Sequence, residues 1–167
     1  MPRVTGLGHV GLFVQDMEKM VDFYSNFLGL YVTDKAADLR VVFLSAHPED
    51  EHHELALARS DLKSNTQQIS FKVATLSDLR EFYQRIKAEG FKINRVVNHG
   101  IAFGCYFDDP EGNNVEVYWT TPIDYPQPHA DLIDLDASEE DLLALLDNMP
   151  EKSHVPEVWR DTVAGRA

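Results

Sequence analysis

The first 121 residues of this 167-residue chain repeat themselves, which commits the fold to two copies of one unit. At an offset of 59, His9-Val-Gly-Leu-Phe-Val14 lies over Gln68-Ile-Ser-Phe-Lys-Val73, and Phe23-Tyr24 lies over Phe82-Tyr83 without a gap. Gly29-Leu30 meets Gly90-Phe91 after a two-residue shift, and at an offset of 62 the run from Phe43 to Leu57 covers Cys105 to Trp119. That alignment brings Pro48-Glu49 onto Pro110-Glu111 and Glu54 onto Glu116. Single matches arise by chance, but an ordered series does not.

Each copy reads as an alternating strand, an amphipathic helix and then shorter strands. Met17, Met20, Val21, Tyr24, Phe27 and Leu28 recur at helical spacing in the first copy, as do Leu76, Leu79, Phe82, Tyr83 and Ile86 in the second. Gly29 and Gly90 stand where helices stop, and extended runs at 40–45, 53–58, 93–97, 101–107 and 114–120 complete the units. The expected fold is α+β: two βαβββ repeats, at about 6–59 and 66–121, curl into an open barrel around one cleft.

The domain of residues 1–121 is followed by a tail of different composition. Residues 122–167 hold eleven acids and three bases, so they carry −8 of the formal net charge of −13. Pro122, Pro126 and Pro128 favour extended chain, and Ser138 with Asp141 then predicts a capped helix over about 139–148. Leu142, Leu143, Leu145 and Leu146 of that helix are expected to pack on the body of the same chain. The acidic balance removes the driving force for binding nucleic acid, and no apolar run reaches membrane-spanning length. A lone cysteine, Cys105, and an amino terminus without a signal-peptide pattern point to the cytoplasm.

Strand alternation sends Val10, Leu12 and Val14 toward the helix of the first unit and His9, Gly11 and Phe13 to the other face. In the second unit Ile69, Phe71 and Val73 face the helix, leaving Gln68, Ser70 and Lys72 opposite. In the last strand Glu116 and Tyr118 share a face that Val115, Val117 and Trp119 do not. With both concave faces turned to one cleft, His9, Glu54, Gln68 and Glu116 occupy repeat-equivalent positions. One imidazole, one amide and two carboxylates make a donor set for a divalent first-row metal. His53 and Glu54 are adjacent, so alternation allows only one of them to face the cleft, and the Glu54 and Glu116 equivalence favours Glu54. Phe13, Phe103, Tyr106 and Tyr118 supply an aromatic lining or ordinary core. The run Asp108-Asp109-Pro110-Glu111-Gly112-Asn113 reads as a turn with solvated acids, and Cys105 as a small buried side chain.

Gly-Leu-Gly-His9-Val-Gly-Leu-Phe-Val-Gln-Asp, the Phe-Tyr-x4-Leu-Gly run at 23–29, His52-His53-Glu-Leu-Ala-Leu and Tyr106-Phe-Asp-Asp-Pro-Glu-Gly-Asn-Asn-Val-Glu116 together resemble the vicinal oxygen chelate superfamily over about residues 4–121. Within it, the His-His-x-Leu-Ala-Leu strand and a tyrosine ten residues before the last strand's glutamate are similar to single-domain type I extradiol dioxygenases. That resemblance implies His9 and Glu116 as Fe(II) ligands, His53 as acid/base, Tyr106 as a hydrogen-bond partner of a substrate hydroxyl and His99 as a further active-site histidine. The His99 to Glu116 spacing is two residues shorter than the family pattern. The second histidine of the extradiol triad falls at Gln68. The implied partners are a small aromatic diol and O2, and a homodimer is implied as well.

Three functions follow. A ring-cleaving dioxygenase chelates a catecholic diol on Fe(II). A glyoxalase- or epimerase-like lyase or isomerase holds nickel, zinc, cobalt or manganese on His9, Glu54, Gln68 and Glu116, with Glu54 or Glu116 moving a proton α to a carbonyl. A metal-free protein binds an aromatic ligand or drug among the four aromatic residues.

Overall fold

The structure, a computed structural model, describes residues 7–64, 66–125 and 129–150. Pro126, Pro128 and the end of the tail beyond 150 lie outside the described residues. The chain divides into two compact units, residues 1–69 with 108–114, and residues 70–107 with 115–167. Among the described residues no helix is long and apolar enough to cross a membrane.

In the first unit β1 (Val10–Val14) leads to helix α1 (Met17–Asp22), which continues as a π-helical turn over Phe23–Phe27. Three strands follow, β2 (Tyr31–Lys35), β3 (Val41–Ser45) and β4 (Leu55–Arg59), in the sheet order β1-β4-β3-β2. β1 and β4 run parallel, with Val10 opposite Leu55, while β2, β3 and β4 form an antiparallel meander. Leu12, Val14, Met17, Met20, Phe23, Tyr24, Val42, Leu44, Leu55 and Leu57 are buried as the core. Burial of such a side chain is worth about 1.5–3 kcal/mol.

The second unit repeats the pattern: β5 (Ile69–Val73), α2 (Leu76–Ala88), β6 (Ile93–Asn98), β7 (Ala102–Asp108) and β8 (Asn114–Thr120). Its sheet order is β5-β8-β7-β6, extended at the β6 edge by β9 (Asp131–Leu132). Thr75 and Asp78 form a reciprocal capping box at the start of α2. Gly29 and Gly90 take the left-handed conformation, φ 87° and 74°, just past their helices. The α+β fold of two βαβββ repeats with a short helical tail is therefore the one expected.

Four local expectations change. β2 has no counterpart among the expected runs, because four of its five residues are exposed and it shows no apolar alternation. His9 and Gln68 stand one residue ahead of β1 and β5, and His53 and Glu54 precede β4, so none of these four lies in a strand. Strand alternation therefore does not oppose His53 to Glu54. The fourth change is the turn, whose acids are not all solvated. Asp109 is only 4% exposed and accepts hydrogen bonds from Tyr24 Oη (3.0 Å), the backbone N–H groups of Glu111 and Asn113 (2.9 and 2.8 Å), and Asn113 Nδ2 (2.7 Å). Glu111 accepts from the backbone N–H groups of Gln15 (2.9 Å) and Asp16 (2.6 Å).

The tail docks on its own unit. Helix α3 (Glu139–Asp147) is capped by Ser138, which accepts from the Asp141 N–H (3.0 Å), and it buries Leu142 and Leu146 while Leu143 and Leu145 stay exposed. Arg80 Nη2 of α2 donates to the Ala137 carbonyl (2.8 Å), and Lys87 pairs with Asp136 (2.6 Å).

Removing the Asp109 carboxylate strands Tyr24 Oη and two turn N–H groups at once. Asp109→Ala is expected to lower unfolding stability by about 3 kcal/mol, and Tyr24→Phe by about 1 kcal/mol, in urea titrations. Equal small losses in both variants would refute Asp109 as the hub.

Candidate functional site

The candidate side chains gather in two places, one in each unit. In the first, the parallel pairing of β1 with β4 brings the chain entering each strand alongside the other, tied by Val10 N–H donating to the Glu54 carbonyl (3.0 Å). The rings of His9 and His53 are consequently 4.3 Å apart. His53 also packs on Phe43 (4.7 Å between rings), and its Nδ1 lies 2.9 Å from His52 Nδ1, one nitrogen donating and the other accepting. Partial desolvation, then repulsion from His9 and His52, holds the His53 imidazolium below its ordinary pKa. His53 is therefore a neutral base at neutral pH.

Glu54 faces a different set of partners. Its carboxylate accepts from the Ala46 N–H (2.7 Å) and Ser45 Oγ (3.2 Å) and lies 3.4 Å from His47 Nδ1. Burial alone would raise its pKa, but the hydrogen bonds from Ala46, His47 and Ser45 outweigh it and hold the group below the usual carboxylate range. The carboxylate closes the turn after β3.

In the second unit a pocket of about 260 Å³ is lined by Ser70, His99, Ile101, Ala102, Tyr106, Glu116 and Tyr118. Glu116 is 6% exposed, and Ser70 Oγ donates to its Oε2 (2.5 Å). Its other oxygen lies over Gly104, where even a methyl group would collide with it. The absent side chain is what makes room for the carboxylate. An isolated glycine in a β-strand signals such a close approach, so the residue could have been found in the sequence.

Tyr106 and His99 form the polar wall of the pocket. His99 Nδ1 is 2.6 Å from the carbonyl oxygen of His129, which only accepts, so Nδ1 carries the proton. Nε2 lies 3.1 Å from Tyr106 Oη. Burial, and then the hydrogen bond and charge of Glu116, push the Tyr106 phenol up to about 12, with Arg95 opposing. Tyr106 is thus a permanent donor. Cys105 is fully buried, its thiol pushed up to about 12 by burial. Phe103 is core, stacked edge-on against Trp119, and Phe13 is 45% exposed. Gln68 is half-buried just ahead of β5. Among the described residues no group of three His, Cys, Asp or Glu side chains gathers to hold a metal.

The profile of the Glyoxalase/Bleomycin resistance protein/Dioxygenase superfamily matches residues 6–117. Biphenyl-2,3-diol 1,2-dioxygenase of Metapseudomonas furukawaii is 31% identical over 124 residues, covering 69% of this chain and 40% of that protein. The manganese-dependent 2,3-dihydroxybiphenyl 1,2-dioxygenase of Geobacillus genomosp. 3 is 26% identical over 120 residues, covering 70% and 37%. The chain therefore spans about two fifths of the length of these relatives. A glyoxalase/dioxygenase crystal structure from Nostoc punctiforme superposes with a TM-score of 0.58 at 21% identity, covering 70% of this chain and 92% of that one. At that identity the likeness is one of fold.

Gly104→Ala is expected to cost about 1–3 kcal/mol in urea unfolding. Gly8→Ala, whose added methyl meets nothing, stays within about 0.5 kcal/mol of the parent. In NMR titrations of metal-free protein, His52→Ala should move the His53 midpoint upward toward its ordinary value, because one of the repelling cations is gone.

Proposed function

The chain belongs to the glyoxalase/bleomycin resistance protein/dioxygenase superfamily, and we propose that within it the protein is a metal-dependent extradiol dioxygenase that opens a catecholic ring with O2. The observation that carries this reading is the second unit's pocket. There a buried carboxylate, a phenol held protonated and a histidine of fixed tautomer line one small cavity. Its volume falls just below the range of about 300–1,000 Å³ for drug-sized ligand sites and suits a single ring. The similarity to diol dioxygenases supports the same choice.

We propose Glu116 as the metal ligand of the second unit's pocket and keep His9 and Gln68, in the first unit, as the further ligand candidates that the family resemblance names. The donor chemistry fits a divalent first-row ion: an imidazole, a neutral amide oxygen and a carboxylate cradled over Gly104 with Ser70 as its outer hydrogen-bond partner. Glu54 is left out, since its oxygens are engaged at the turn after β3. Iron or manganese suits this set, and with Glu54 removed the four-ligand lyase alternative loses a donor.

When bound, such a metal supplies chelation of the two vicinal diol oxygens and an adjacent position for O2. The remaining work falls to protein groups. His53, neutral because burial and its histidine neighbours disfavour the cation, has the protonation state a general base needs. Tyr106, which keeps its own proton, donates a hydrogen bond to a substrate oxygen. His99, with Nε2 3.1 Å from the phenol oxygen, and Glu116 position the phenol when no substrate is present. Overall, one ring C–C bond beside the diol breaks, and both atoms of O2 enter the product as a carboxylate and a carbonyl.

Anaerobic loading with Fe(II) or Mn(II), followed by elemental analysis, should give about one metal per chain, lost at least tenfold in His9→Ala and Gln68→Ala. Catechol added to the loaded protein should consume O2 and produce a ring-opened chromophore, and His53→Ala should slow this by about 10²–10⁴. Metal-free protein after loading, or metal retained in both ligand variants, would overturn the assignment.

A further inference from the structure

We propose that Arg95 is the carboxylate anchor of the second unit's pocket, so that the preferred diol carries a carboxylate on its ring; this rests on the diol reading above. The first observation is a β-bulge. β6 and β7 pair Ile93 with Phe107 and then Arg95 with Tyr106, so two steps on β6 match one on β7. In regular register Asn94 would oppose Tyr106. The bulge brings Arg95 there instead, the kind of re-aiming for which bulges recur beside active sites.

The second observation is what Arg95 does once there. Its guanidinium carbon sits 4.1 Å from the centre of the Tyr106 ring, and Tyr106 lines the pocket. One of its N–H groups also hydrogen-bonds the Tyr106 phenol, and a guanidinium carries five such donors, so others are left to meet a carboxylate in the bidentate geometry that suits arginine. Among the described residues Arg95 has no carboxylate partner, although the chain holds 28 acids against 15 bases. The residue is exposed, so its guanidinium is open to a ligand.

The third consideration is the field of the whole molecule. At a formal charge of −13 the chain repels anions at long range, so a site for an anionic ligand must carry its own cation. Arg95 lies just outside the lining of the 260 Å³ pocket, over the Tyr106 ring, so a ring seated against Tyr106 would present a carboxylate substituent toward the guanidinium. Tyr106 then serves both as donor to the diol and as the shelf that holds Arg95.

Anaerobic calorimetry on the Mn(II)-loaded full chain would compare catechol, dihydroxybenzoate and benzoate in the parent, Arg95→Gln and Arg95→Lys. The expected result is dihydroxybenzoate binding at least about tenfold tighter than catechol, a ratio lost in Arg95→Gln and reduced in Arg95→Lys, which keeps the charge without the fork. Added salt should narrow the ratio in the parent and in Arg95→Lys but not in Arg95→Gln. Equal binding of the two diols, or a ratio unchanged in Arg95→Gln, would overturn the anchor while leaving the diol reading intact. Arg95-dependent benzoate binding without diol binding would overturn the diol reading and keep the anchor. No binding of any of the three would overturn both.

Discussion

The pairing of the first strand of a repeat with its last is the constraint on which both functional clusters depend. Parallel neighbours cannot be joined by a hairpin, so a helix and two strands must intervene before β4 can reach β1. Because the pair is parallel, the residues entering the two strands arrive at the same end, and polar groups there become neighbours across many intervening residues. His9 and His53 meet in this way. In the second unit β5 lies next to β8, and Ser70 finds Glu116.

Two buried carboxylates show how the fold tolerates charge in its interior. Uncompensated, each would cost several kcal/mol or take up a proton. Asp109 is compensated within the chain, by a phenol, two backbone N–H groups and an amide. It thereby joins a turn far along the sequence to Tyr24 on the first unit's helix. Glu116 is held by Ser70, with Tyr106 beside it, on the wall of a pocket where a ligand can reach it. A carboxylate tied up within the chain and one open to a pocket are thus separated by what surrounds them, and the sequence presents both within one short run.

This difference marks where the sequence was legible. The repeat, the helices and most strands could be read from periodicity, and Glu116 and Tyr118 do share the face that alternation gives them. Alternation failed at His53 and Glu54 because it holds only inside a strand, and both stand before one. β2 was invisible because an exposed edge strand does not need apolar alternation. Asp109 looked solvated because Asp-Pro-Glu-Gly is an ordinary turn composition. Its burial comes from Tyr24, 85 residues away in sequence. Arg95 was hidden for a further reason: a bulge adds a residue to one strand and shifts its partners without any sequence signature.

The repeat also shows why equivalent positions carry different chemistry. Glu54 and Glu116 align, but the partner of Glu116 is Ser70, and the residue aligned with Ser70 is Gly11, which has no side chain to donate. β7 offers Gly104 as a gap for a carboxylate, whereas β3, Val-Val-Phe-Leu-Ser, contains no glycine. Glu54 therefore turns to the backbone at Ala46 and to Ser45. A third asymmetry comes from outside the repeat. The tail adds β9 to the edge of β6, and the His129 carbonyl just before it fixes the proton on His99. One serine, one glycine and one tail carbonyl thus convert the second copy of a common scaffold into a polar pocket, while the first copy uses the same strand ends to stack histidines.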